Sequence, residues 1–317
     1  MNDPFIRTVL GDIAPEAFGV CDAHEHLIID DPYVHETWPD RKLDNVIKAV
    51  GELTTFKELG GSALVDTMPM ACGRNIEKLV QIARETNVHV VAATGLHLEK
   101  YYRPNHWLDG FDAGDLVEFF VADIERGIPA DESQPPATRT DHRAGIIKVA
   151  GQQHLTHRQR TAFFAAAEAH RRTGCPIVTH TDGGHNAIDQ VDLLLNHGVQ
   201  PNKITLSHVD RIAAPEQHRQ LLNFGVNLTY DAAFRWPPEY EPNPSVHLIA
   251  TLLPEFPTQI MVGMDAASTR YWRSYGGSPG LEWLVTRLRR LLEQSEVDEV
   301  LLHRLYVDNP ANAFAFG

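Results

Sequence analysis

The chain has 317 residues, 43% of them hydrophobic and 22% charged, which suits a single large barrel domain over residues 1–317 and excludes a disordered or fibrous chain. A formal net charge of −14 argues against nucleic acid or an anionic membrane as partner. Cys21, Cys72 and Cys175 are too few and too far apart for a disulfide framework or zinc finger; with no basic-then-apolar leader in Met1–Phe5 and no apolar run near the ~18 residues of a membrane span, they point to a cytoplasmic protein.

In chain order, the first apolar run of strand type covers residues 20–29. A helix with apolar residues at helical spacing follows over 43–59 and stops at Gly60 and Gly61. A second strand at 62–68 precedes a helix over 75–86, and a third strand covers 88–96. The rhythm then breaks: residues 97–142 hold one helix, about 115–126, and a polar, Pro-containing segment. Strand and helix alternate again with strands at 144–150, 176–180, 203–208, 225–230 and 259–265, and helices over 157–173, 187–197 and 215–224. A second interruption, 233–243, is rich in Pro, Trp and Tyr. Eight short, nearly continuous apolar strands separated by helices read as parallel βα units closing into a (β/α)₈ TIM barrel. An open doubly wound sheet is the alternative, but no Gly-rich phosphate fingerprint follows the first strand.

Barrel enzymes place their chemistry at strand C-terminal ends. There the first strand carries His24 and His26, which alternation puts on one face. Lys148 sits inside the apolar run Ile146, Ile147, Val149, where a bare ammonium costs several kcal/mol. It either reaches a carboxylate or solvent, or it is ligated or modified; a carbamate would give one oxygen to each of two metals. His180, His208 and Asp265 end the fifth, sixth and eighth strands. Each residue alone has a structural explanation, but their common placement points to metal binding. Imidazole and carboxylate donors suit zinc, and also manganese, cobalt or iron.

The sequence is similar to the amidohydrolase superfamily and, within it, resembles the phosphotriesterase family with its phosphotriesterase-like lactonases. The resemblance rests on Asp22 to Leu27, Gly145 to Val149, Thr179 to Thr181, Ser207 to Arg211, Gly263 to Ala266 and Asp308 to Phe314. It implies an amidohydrolase-type barrel with two divalent metal ions: His24, His26 and Asp265 on the more buried one, His180 and His208 on the more exposed one, and carboxylated Lys148 between them with a hydroxide. Asp265 would be the catalytic residue that takes the proton from that hydroxide. The run from Ala266 to Gly280 looks most like the sugar-lactonase branch, although Ser268 stands where phosphorylated-lactone members carry arginine; Tyr271 matches their tyrosine. The implied reaction is opening of a sugar or sugar-acid lactone, with organophosphate or other carboxylic ester hydrolysis as the alternative and a non-catalytic metal-bound binding protein as a third. The partner is a small-molecule substrate, with Tyr102, Arg235, Arg270 and Tyr271 as its contacts; relatives suggest a homodimer. His97, Lys100, Tyr101, Trp236, Tyr240 and Trp272 join the mouth by position, with loop packing an equal alternative for Trp236 and Trp272. Asp22 is placed to accept from a ligand histidine, and Asp210 and Arg211 to orient one or to meet the substrate. His89, His170, His197, His218, His247 and His303 read as structural or exposed.

Overall fold

The computed structural model describes residues 3–136 and 138–317; Met1, Asn2 and Ala137 lie outside the described residues. Eight strands form one parallel sheet in sequence order: β1 (Cys21–Glu25), β2 (Ala63–Asp66), β3 (His89–Gly95), β4 (Ile146–Gly151), β5 (Ile177–Thr181), β6 (Ile204–Ser207), β7 (Asn227–Tyr230) and β8 (Ile260–Val262). The seam between β8 and β1 closes just past β8, where the Asp265 amide donates to the His24 carbonyl at 2.8 Å. Gly263 makes this approach possible, since a Cβ there would lie 2.8 Å from the His24 nitrogen. The result is the (β/α)₈ barrel that strand–helix alternation predicts.

Helices α1 (Pro32–Thr37), α2 (Val46–Glu58), α3 (Ile76–Thr86), α4 (Ala113–Glu125), α5 (His157–Thr173), α6 (Ala187–Asn196), α7 (Pro215–Asn223) and α8 (Pro244–Leu252) surround it. Side-chain caps fix several starts: Asn45, Asn75, Asp112 and Thr156 each accept the amide three residues on, satisfying a donor the helix cannot. That is why α2 begins at Val46 rather than at Leu43. The sequence pattern missed α1, α8 and an N-terminal hairpin of Ile6–Thr8 with Gly11–Ile13. The strands of the hairpin and the six residues of α1 are too short to show a period.

Two apolar layers result. The outer one lies between strands and helices; the inner one fills the barrel with Ala23, Val65, Val91, Ala93, Ile146, Val178 and Met261. Phe18 and Phe314 plug the floor with ring centroids 6.5 Å apart, and Phe5 stacks on Phe316 at 4.8 Å. Small and polar side chains are thereby left to the opposite end, where the strands finish. Among the described residues no helix is long and apolar enough to cross a membrane. The long segment after β3 is anchored by Arg74, which is buried, pairs with Asp123 at 2.9 Å and with Glu132, and donates to the Ala93 carbonyl.

Candidate metal centre and substrate cavity

The pairing of β1 with β2 slips between Asp22 and Glu25. The slip resets the alternation, and Asp22 meets backbone rather than a ring: its Oδ1 accepts the amides of His24 and Met264, both at 3.2 Å. The hydrogen bond that Asp22 was expected to accept from a ligand imidazole is therefore replaced by a brace across the barrel seam. His24 Nδ1 lies 2.7 Å from Ser207 Oγ, which turns Nε2 to the barrel mouth, 2.9 Å from Thr67 Oγ1 and 3.8 Å from Asp265 Oδ1. His26 Nε2 is 3.4 Å from the same carboxylate oxygen. The donor atoms of His24, His26 and Asp265 all fall within 4.8 Å of one another.

His208 follows β6 in the left-handed conformation, at φ 65°. Its Nδ1 lies 2.9 Å from Asp231 Oδ1, and its amide donates to Oδ2 at 3.1 Å. The ring is thus clamped from behind, 4.7 Å from His24 and 4.5 Å from His180 between centroids. Lys148 lies wholly buried on β4, and among the described residues its Nζ has one hydrogen-bond partner, His24 Nε2 at 3.4 Å. All six side chains singled out for metal binding thus converge on one end of the barrel.

Burial sets the electrostatics. It holds His24, His97, His180 and His208 well below the usual imidazole range, so each presents a neutral ring. It also brings the Lys148 amine down to about 7. Burial pushes Asp265 up, but His208, the hydrogen bond from His26 and the Arg235 guanidinium outweigh it and hold the carboxyl well below the usual carboxylate range. Arg211 and Arg235 both donate to Asp265 Oδ2, at 2.9 and 3.0 Å. Neutral imidazoles, those of His24 and His208 with the rear nitrogen engaged, an ionised carboxylate and a buried amine are a donor set that fits divalent cations.

Above this cluster opens a cavity of about 290 Å³ whose lining includes His26, His180 and Asp265 at its base. Arg235, Arg270 and Tyr271 line it, and Arg235 donates to the Tyr271 hydroxyl at 3.0 Å. Tyr102 is not among the lining residues: its hydroxyl accepts the His97 amide at 2.9 Å and donates to the Met70 carbonyl at 3.2 Å, behind the wall. Its neighbour Tyr101 faces the cavity instead. Trp272 is fully buried and donates to the Ala266 carbonyl, and Trp236 donates to Ser245 Oγ, so both pack loops. Asp210 accepts the amides of Asp231 and Ala232, while His170 and His218 bond the Cys175 carbonyl and the Tyr230 hydroxyl. Sequence reasoning missed Thr67, Ser207 and Asp231, whose only signal is a hydroxyl or carboxylate at the ends of β2, β6 and β7.

The model of the phosphotriesterase family matches residues 4–314. A phospho-furanose lactonase of Mycoplasmopsis agalactiae is 30% identical, over 99% of this chain and 92% of that protein. One from Mycoplasmopsis synoviae is 31% identical, over 100% and 93%. Among solved structures, an amidohydrolase from Mycoplasma synoviae superposes with a TM-score of 0.92 at 29% identity, covering 100% of this chain and 93% of that one. A lactonase from Listeria monocytogenes gives a TM-score of 0.89 at 28% identity, with 99% of both chains covered.

Proposed function

The chain belongs to the phosphotriesterase family, and from that premise we propose that it is a metal-dependent hydrolase that opens a sugar or sugar-acid lactone to the hydroxy acid. The observation that carries the reading is the convergence of the His24, His26 and Asp265 donors within 4.8 Å at the base of a small polar cavity. His24, His26 and Asp265 would hold one cation, His180 and His208 a second, and Lys148, carboxylated, would span the two. A buried amine whose proton is already weakly held is the form of lysine that adds carbon dioxide. Zinc is the first expectation for both ions, with manganese, cobalt or iron as alternatives. Such ions make a water acidic enough to ionise near neutral pH and draw electrons from the ester carbonyl.

The chain's own groups do the rest. Asp231 and Ser207 fix the His208 and His24 rings from behind. Arg211 and Arg235 hold Asp265 oriented and ionised, so that its carboxylate takes the proton of the attacking water and delivers it to the departing ring oxygen. The cavity wall favours a lactone over an aryl phosphotriester: it is lined by Arg41, Lys100 and Asp40, where aryl groups would need apolar surface. Three buried free cysteines accord with a reducing cytoplasm.

The test is turnover of a panel of γ- and δ-lactones beside paraoxon and phenyl acetate by the zinc-loaded protein. Asp265→Asn should lower kcat by about 10²–10⁴-fold, the usual weight of a proton-transfer group, while bound metal stays near its wild-type content. Undiminished kcat in that variant would remove Asp265 from the chemistry, and paraoxon outpacing every lactone would replace the substrate class.

A further inference from the structure

We propose that Asp210, Ser245 and Trp236 are positioning residues that lock residues 231–236 into one bracket, which aligns ligands of both candidate cations together: His208 through Asp231, and Asp265 through Arg235. The inference rests on the two-cation reading of the mouth and adds to it how the two halves are tied. The sheet pairing of β7 ends at Tyr230, just before the segment that carries Asp231 and Arg235. One carboxylate takes over where the sheet stops. Asp210 is fully buried; its Oδ1 accepts the Asp231 amide at 3.2 Å and its Oδ2 the Ala232 amide at 2.9 Å.

The far end of the segment returns to the same side chain. Ser245 Oγ donates to Asp210 Oδ2 at 2.5 Å, and it accepts the Trp236 indole Nε1–H at 2.9 Å. Ser245 is fully buried in the first turn of α8, whose cap, Asn243, also donates to the Ala233 carbonyl at 2.8 Å. Residues 231–236 are thus fastened to Asp210 twice, by backbone at 231 and 232 and by side chains at 236. A hydroxyl that gives its one proton to a carboxylate and takes another from an indole has a fixed direction, and hydrogen bonds to a buried carboxylate are the stronger kind. Loss of that hydroxyl leaves the carboxylate and the indole each short of a partner.

Both contacts to the candidate ligands lie between the two fastenings. Asp231 Oδ1 meets His208 Nδ1 at 2.9 Å, and four residues on, Arg235 meets Asp265 Oδ2 at 3.0 Å. The single turn Ala233–Arg235, closed by the Arg235 amide on the Ala232 carbonyl at 2.9 Å, leaves little backbone between them to move independently. From the other side, Asp210 sits in the turn Val209–Arg211, and Arg211 reaches the same Asp265 oxygen at 2.9 Å. Residues 208–211 and 231–236 therefore meet at Asp210, and each segment serves a ligand of both cations. Groups that hold a ligand carry metal affinity although they touch no metal. A shared bracket means that a change at Ser245 or Trp236 is felt at both cations, whereas plain loop packing would cost fold stability alone.

The experiment titrates zinc stepwise into the metal-stripped full chain against a chromophoric chelator, and records the Tm of the same stripped samples. The parent should take up two equivalents. Ser245→Ala should raise both dissociation constants by about tenfold or more, within the roughly 10–100-fold usual for groups that support a ligand. Trp236→Phe, which keeps a ring but removes the indole N–H, should raise both by a smaller factor. The two changes together should lose no more than Ser245→Ala alone, because the indole acts through the hydroxyl. Asp210→Asn should exceed both, and where that variant does not fold the two milder ones decide. Unchanged dissociation constants in Ser245→Ala and Trp236→Phe, with or without a lower Tm, overturn the bracket and leave the two-cation reading standing. Weakening confined to one cation overturns it equally, since Asp210 would then support a single ligand, and additive losses overturn the part assigned to Trp236. A parent that takes up fewer than two equivalents overturns the two-cation reading, and the bracket with it.

Discussion

Lys148 sits in an environment far from the one its chemistry prefers. It is wholly buried, and among the described residues the one hydrogen-bond partner of its amine is a histidine nitrogen 3.4 Å away. Burial lowers its pKa from 10.5 to about 7. In the unfolded chain the lysine keeps its proton up to about pH 10.4, whereas in the folded, metal-free and carbonate-free chain it releases it near 7. Between those two values the unfolded state binds more protons, so this group makes stability rise with pH across that window and contributes no slope below or above it. Lys148→Met should flatten this part of the profile, as read by urea titrations of both proteins at several pH values from 7 to 10. Parallel profiles would mean that the amine is solvated, and a solvated amine would not be poised to add carbon dioxide. His208 shows the opposite arrangement, a neutral ring whose rear nitrogen is clamped by Asp231 at 2.9 Å and whose remaining nitrogen is left for a cation.

At the scale of the strand, β4 can present Lys148 because β3 ends in a glycine. Gly95 sits at φ 108°, and a Cβ there would come within 1.9 Å of the Lys148 carbonyl oxygen. Gly95→Ala must therefore strain its own backbone, at about 1–3 kcal/mol, and also displace β4. We expect a fall in denaturant midpoint of at least that size together with weakened zinc binding; an alanine variant of wild-type stability and metal content would show that the two strands can part without cost. The elements around such positions were legible because a strand packed on both faces reads as an apolar run, and because the chemistry sits where those runs end. Helix starts shifted where an asparagine cap, as at Asn45, overrode the apolar pattern. What stayed hidden depended on local geometry. The slip after Asp22 redirects its carboxylate to backbone amides. The single turn Glu99–Tyr101 decides that Tyr101 rather than Tyr102 meets the cavity, and two adjacent tyrosines give no periodicity from which to choose. Asp231 lies one residue past β7, where the apolar run had already ended.

The whole molecule is polarised, with rings plugging the floor and titratable groups gathered at the mouth. Five strands, β1, β4, β5, β6 and the end of β8, must be in place before the candidate ligands meet, and those ligands span residues 24 to 265 of the sequence. The unfolded chain therefore has no comparable site, and cations that bind the folded centre stabilise it by mass action. At a free metal concentration a thousandfold above Kd the gain is about 4 kcal/mol, and at roughly 2–4 °C per kcal/mol for a domain of this order of size it corresponds to about 10 °C in Tm. Removing metal with a chelator should lower Tm by that order, and added zinc should restore it. The shift should shrink from pH 8 to pH 5, because imidazoles must be neutral to bind and protons compete for them as the pH falls. Lys148→Met, which removes the spanning group, should leave a smaller chelator-dependent shift than the parent. A Tm indifferent to chelation in protein shown by elemental analysis to have lost its metal would mean that the ion pairs and hydrogen bonds of the mouth hold the barrel closed unaided, and that the stability of this fold does not depend on the centre it builds.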